Sequence, residues 1–111
     1  MQGMSYQPNK VVVCKDGFEM SVQANEFAYC TPRINDAEKY TAVEVGFPTR
    51  CEPLLMQWID GYRDNGVDPV ETVYAYVPSQ VVALICAKHG GVVSGQLPVG
   101  VPRIEAKDES R

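Results

Sequence analysis

Residues 70–91 read VETVYAYVPSQVVALICAKHGG, and this run constrains the fold more than any other part of the chain. Its first eight residues are rich in β-branched and aromatic side chains, which suit a pleated and packed surface. Pro78 removes a backbone donor and pushes Val77 into an extended conformation, so the strand is expected to stop there. Ser79 is an expected N-cap, its hydroxyl accepting from an amide of the first helical turn. Val81, Leu84 and Ile85 then recur at three- and four-residue spacing as the buried face of a helix. Lys88 and His89 fall in the last turn, where cations suit the helix dipole, and Gly90 can take the left-handed position that ends it. A strand running straight into a helix calls for an α+β domain.

The segments on either side supply more strands. Residues 10–15 (KVVVCK) are apolar, and Asp16-Gly17 is a hairpin-turn signal. Residues 18–23 (FEMSVQ) alternate, with Phe18, Met20 and Val22 on one face and Glu19, Ser21 and Gln23 on the other. A short strand can be read over residues 27–31 before Pro32 breaks it, and a polar surface loop over 33–39. Residues 40–47 (YTAVEVGF) repeat the alternation, Val43 and Val45 opposing Glu44. Pro53 suits the first turn of a second helix, in which Leu55, Trp58, Ile59 and Tyr62 share a stripe. Residues 60–69 are dense in turn formers, and Val92 and Val93 can add a short strand. The expected fold is α+β: a four- to five-stranded antiparallel or mixed sheet with two helices packed on one face. Residues 1–9 are read as a flexible tail, 10–97 as a single domain and 98–111 as an irregular tail.

Strand–proline–helix occurs twice, at residues 43–48 and 73–78. A right-handed crossover between neighbouring strands of such units would make that pair parallel.

At 111 residues the chain is long enough for one core, burying roughly 65% of the surface of its unfolded form. A net charge of −4 from 14 acidic and 10 basic residues weighs against nucleic acid, whose binders carry a clustered basic footprint. No apolar run is long enough to span a membrane. The first ten residues lack the basic and apolar blocks of a signal peptide, so a reducing cytoplasm is the expected compartment. Cys14, Cys30, Cys51 and Cys86 are dispersed without a CxxC pair, and His89 is the one histidine. Metal ligands normally arrive in close pairs, so no metal site is expected, nor any cofactor. Buried, reduced thiols are the expected state.

No nucleophile elbow, phosphate-binding glycine loop, HExxH or GxGxxG is present, and no catalytic residue is assigned. Cys30 or Cys51 with His89 is the one nucleophile–base pairing the residue types allow. Cys51 stands between Arg50 and Glu52, a setting that can lower a thiol pKa. Against this, His89 also reads as a plain cation at a helix C-terminus. Aromatic residues and arginines beside loops point instead to binding, because they bury large areas with few rotors and still hydrogen-bond. Tyr29 and Arg33 flank one loop, and Arg50, Tyr62 and Arg63 flank a second. These five are the candidate partner-binding residues.

Several phrases taken in order, GFEMSVQANEFAYCTPR, VEVGFP, EPLL, TVYAYVP and KHGGVVSG, span about residues 10–95. Together they resemble a group of small uncharacterised proteins encoded by tailed bacteriophages and prophages. The resemblance implies a phage-type accessory protein in the cytoplasm of an infected bacterium. It supplies no cofactor or catalytic residue. The expectation is a non-catalytic module of host-interaction or anti-defence type, binding a protein partner or itself as a homodimer. The alternatives are a binder of a small molecule or signalling nucleotide, using Arg33, Arg50 or Arg63 with stacked tyrosines, and a minor virion or assembly component.

Overall fold

The computed structural model of the chain describes residues 8–60 and 66–107. Among them run β1 (Val12–Cys14), β2 (Glu19–Gln23), β3 (Ala42–Gly46), a 3-10 helix (Pro53–Trp58), β4 (Val73–Pro78), α1 (Ser79–Lys88) and β5 (Val92–Ser94). The strands form one antiparallel sheet in the order β4-β3-β2-β1-β5. The fold is α+β, with α1 and the 3-10 helix on one face of the sheet. Their Val82, Ile85, Cys86 and Leu55 share a core with Val12, Met20, Val22, Val43, Val45, Tyr74 and Val77 of the strands.

The hairpin at Asp16-Gly17 forms as its residues require. The Cys14 amide donates to the Phe18 carbonyl at 2.8 Å, and Asp16 Oδ1 accepts from the Phe18 amide at 2.9 Å. Val12 then pairs with Met20, which places both apolar sets on the core side. In β3, Val43 and Val45 turn inward while Glu44 stays on the outer face.

β4 breaks the two-residue alternation, and the pairing shows why. Val43 pairs with Val77 and Val45 with Tyr74, so Glu44 alone opposes both Ala75 and Tyr76. This is a β-bulge, with Tyr76 at φ 55°. The extra residue allows Tyr74 and Val77, three apart, both to face the core, and it turns Tyr76 outward.

The two strand–proline–helix units do carry neighbouring strands, but β3 and β4 are antiparallel, not a parallel crossover pair. The return between them is made by the 3-10 helix and the loop that follows. That short helix keeps only Leu55 fully buried; Trp58 and Ile59 pack against the core edge, and Tyr62 lies outside the described residues. Residues 27–31 do not make a strand. Thr31 alone bridges to Ala42, and the rest is turn.

α1 begins at Ser79, but Ser79 is not its cap. Pro78 holds that position without a side-chain hydrogen bond, and the Ser79 hydroxyl donates to the Tyr40 carbonyl at 2.7 Å. The buried face runs through Ser79, Val82, Ala83, Ile85 and Cys86. Leu84, expected inside, is 56% exposed. The run VVALIC is apolar all round, so spacing alone cannot choose its buried face; packing against the sheet does. At the other end Gly90 adopts φ 92° and the Gly91 amide closes on the Cys86 carbonyl at 2.8 Å, as the Gly-Gly pair requires.

Residues 98–107 run without regular structure and dock on the sheet. The Tyr40 amide donates to the Val99 carbonyl, Val101 is buried, and β5 gains a parallel bridge from Glu105 to Val92. Gly100 crosses so close to Tyr40 that a Cβ there would overlap the Tyr40 carbonyl oxygen. Both margins of the sheet are therefore occupied by the chain itself. Beyond β4, the Asp60 amide donates to the Val73 carbonyl and the Tyr76 amide to the Tyr29 carbonyl. Beyond β5, the Val92 amide donates to the Ile104 carbonyl and the Ala106 amide to the Val92 carbonyl.

Candidate functional site

The outward turn of Tyr76 builds the first of two chemically distinct places on the molecule. Its ring meets that of Tyr29 at a centroid separation of 6.0 Å, and its amide donates to the Tyr29 carbonyl at 3.1 Å. The Arg33 guanidinium lies over the Tyr29 ring at 5.1 Å. Arg33 is held there by Nε donating to the Glu26 carbonyl at 3.2 Å and Nη2 to the Phe27 carbonyl at 3.3 Å. The Tyr29 amide in turn donates to Glu44 Oε1 at 3.3 Å, which ties the loop to β3. Phe27, Tyr29, Ile34 and Tyr76 are all exposed, at 69%, 37%, 52% and 44%. Three aromatics and an aliphatic residue thus stand in solvent beside a positioned guanidinium. Their backbones are anchored to the sheet and to their own loop.

The second place lies under the Asp16-Gly17 hairpin. His89, at the end of α1, is buried with both ring nitrogens engaged: Nδ1 is 2.7 Å from Asp16 Oδ2 and Nε2 is 2.7 Å from Glu52 Oε1. Each ring nitrogen thus faces one carboxylate oxygen, and Arg50 Nη2 lies 3.4 Å from Nδ1. Phe18 stacks on the ring at 4.1 Å and 8°. Glu52, with a side chain only 1% exposed, also accepts from Lys88 Nζ at 2.8 Å and from the Leu54 amide at 2.9 Å. Arg50 Nη2 donates to Asp16 Oδ2 at 2.9 Å, and the guanidinium lies 5.8 Å from the centre of the Phe18 ring.

Burial alone would raise the Glu52 carboxyl. The hydrogen bonds from Lys88, the Leu54 amide and His89 outweigh that and hold it below its ordinary value. Asp16 is lowered first by its hydrogen bond with His89 and then by the Phe18 amide. The network joins the β1–β2 turn, the start of the 3-10 helix and the end of α1 through Arg50, Lys88, His89 and two carboxylates. Its chemistry is that of a clamp: both His89 nitrogens are committed to carboxylates, and neither is turned to a thiol.

The thiols are placed accordingly. Cys30 contacts the carbonyls of Asn25 and Pro32, and Cys51 contacts Met56 Sδ at 3.9 Å. Burial pushes the thiols of Cys14 and Cys30 up and that of Cys86 to about 12. Cys51 is exposed.

Of the five candidate partner-binding residues, Tyr29 and Arg33 come together on the surface. Arg50 sits apart from them in the His89 network, and Tyr62 and Arg63 lie outside the described residues. Tyr76 escapes a sequence reading because strict alternation puts it on the same face as Tyr74; the bulge that reverses it has no signature in the residues. Asp16 and Glu52 were legible only as turn former and helix neighbour, since their partners lie 73 and 37 residues away in sequence.

Among the described residues, no helix is long and apolar enough to cross a membrane, and no three His, Cys, Asp or Glu side chains converge as a metal site would need. Comparison with known proteins finds no family model, no curated protein and no solved structure that matches this chain.

Proposed function

We propose that the chain is a small phage-type accessory protein that works as a non-catalytic protein-binding module in the cytoplasm of an infected bacterium. The observation that carries this reading is the Tyr29–Tyr76 pair: two exposed aromatic rings, one of them on a backbone held at positive φ. A bulky residue in that conformation is a rare and strained choice, and such strain concentrates where a side chain must be presented in one direction. Tyrosine and arginine beside each other are the composition of an interface centre. The commitment of Arg33 to backbone carbonyls and of Arg50 to Asp16 favours this reading over a nucleotide site, which would need their guanidinium donors for phosphate.

The test is a comparison of wild type with the Tyr29→Ala/Tyr76→Ala double variant. Light scattering gives the self-association constant, and affinity capture from bacterial lysate followed by titration gives affinity for the captured protein. The double variant is expected to weaken whichever association is found by at least tenfold while melting within a few degrees of wild type. Association of unchanged strength in the double variant would end the assignment to this surface.

A further inference from the structure

Cys14 and Cys86 belong to neither of the two places described above, and they meet in the core. Cys14 ends β1 on the core side of the sheet, and Cys86 lies on the buried face of α1. One residue ties their backbones together. The Gly91 amide donates to the Cys86 carbonyl at 2.8 Å, and the Lys15 amide donates to the Gly91 carbonyl at 2.9 Å. Cys14 itself pairs with Val92, the next residue along. The end of β1 and the last turn of α1 are therefore fixed to the same short link, with both side chains turned into one interior. There the Cys86 thiol donates a hydrogen bond to the Cys14 sulfur, which adds to the rise of Cys86 and offsets part of the rise that burial imposes on Cys14. The other two thiols are engaged elsewhere, Cys30 with the carbonyls of Asn25 and Pro32 and Cys51 with Met56 Sδ.

We propose that Cys14 and Cys86 are a paired redox site, which closes to a disulfide under a small disulfide oxidant such as glutathione disulfide and so bonds the end of α1 to β1. Sulfurs in hydrogen-bond contact need to approach by only roughly 2 Å to reach bonding distance. The order of events follows from the hydrogen bond. Cys86, pushed up to about 12, keeps its proton longest, so Cys14 is the first nucleophile. Its thiolate attacks one sulfur of glutathione disulfide, breaking that S–S bond and releasing a glutathione thiolate. Cys86, deprotonated in turn, attacks the Cys14 sulfur of the mixed disulfide and releases the second. Two protein thiols are oxidised, one glutathione disulfide is reduced, and the two protons end on the glutathione thiols. Both thiols are covered in the folded chain, so glutathione meets them while this segment is open and the bond is made as the chain folds. The bond encloses β2, β3, the 3-10 helix and β4, which restricts the unfolded chain and makes the oxidised form the more stable one. None of this depends on the protein-binding reading.

The test refolds the reduced full chain carrying Cys51→Ser out of urea by slow dialysis, in a buffer of reduced and oxidised glutathione. Cys51 is exposed, so its replacement leaves the core intact. Free thiols are then alkylated under denaturing conditions, the bonds are mapped by mass spectrometry of proteolytic fragments, and a parallel sample is unfolded in urea. The expected product carries a Cys14–Cys86 bond and an alkylated Cys30. Its urea midpoint is expected above that of the same chain refolded in reductant, and dithiothreitol is expected to abolish the difference. Cys30→Ala in the same background is expected to leave the bond in place. Cys14 and Cys86 both alkylated after refolding at excess oxidised glutathione, either of them bonded to Cys30 instead, or an oxidised form with a midpoint below the reduced one would each overturn the proposal.

Discussion

The amide of Tyr76 donates to the carbonyl of Tyr29 at 3.1 Å while their rings lie 6.0 Å apart. One bulge thus sets both the backbone contact and the side-chain contact. The strand spends its ladder amide on the loop, and the loop gains a fixed position for Tyr29 and, through it, for Arg33.

The strain at Tyr76 can be read by substitution. Left-handed backbone costs a residue with a Cβ about 1 kcal/mol, a cost glycine does not bear. Tyr76→Ala and Tyr76→Gly remove the same ring contact, so their difference isolates the backbone. Urea unfolding should show Tyr76→Gly more stable than Tyr76→Ala by about 1 kcal/mol, the reverse of the order expected in an ordinary strand.

Glu52 holds the clamp together. Its carboxylate is buried and serves His89, Lys88 and the Leu54 amide at once. Glu52→Ala leaves His89 with an unopposed donor in the interior, and breaking a buried pair from one side costs about 3–5 kcal/mol. A loss of that size, read by denaturant titration, is expected. Arg50→Ala removes a half-exposed partner of Asp16 and should cost less than about 1 kcal/mol.

Acid should open the same clamp. Asp16 and Glu52 are both held below their ordinary values in the folded chain, so the unfolded state binds more protons as the pH falls. The stability they contribute is complete above the unfolded carboxylate range, about pH 4, and is lost as pH falls through their lower folded values. Unfolding free energies measured from pH 7 to pH 2.5 should be flat at first and then decline. The Asp16→Asn/Glu52→Gln variant should be less stable at neutral pH and decline less steeply.

The four thiols should separate cleanly under a thiol reagent. Cys14, Cys30 and Cys86 are buried with their thiols pushed up, Cys86 to about 12. Cys51 is exposed. A disulfide reagent added to native protein at pH 8 should modify one thiol quickly and the other three only after denaturation, with Cys51→Ser abolishing the fast phase.

How much of this was legible in the sequence depends on the distance over which each feature is decided. The Asp16-Gly17 hairpin, the alternation of β2 and β3 and the Gly90 helix end are local, and the residues specify them. The α1 face is not local. Val81 and Leu84 are as apolar as Val82 and Ile85, so packing against the sheet chose between them. The strand expected at residues 27–31 was lost because Phe27, Tyr29 and Thr31 alternate with Ala28 and Cys30 by accident of a turn that Asn25 organises through its side-chain Oδ1, which accepts from the Phe27 and Ala28 amides. The candidate surface was half visible. Tyr29 and Arg33 stand close together in sequence, whereas Tyr76 joins them only through a bulge, and Arg50 turned out to belong to the His89 clamp.

The occupied margins of the sheet have a consequence for how this chain can meet another. With the outer amides and carbonyls of β4 and β5 already bonded to residues 29, 60, 104 and 106, no backbone ribbon is on offer at those positions. Any contact at those edges would have to be made by side chains. A chain so arranged can expose aromatic rings without offering these strands for edge-to-edge stacking, and single substitutions in the loop that carries Phe27, Tyr29 and Ile34 can change that surface without disturbing the sheet behind it.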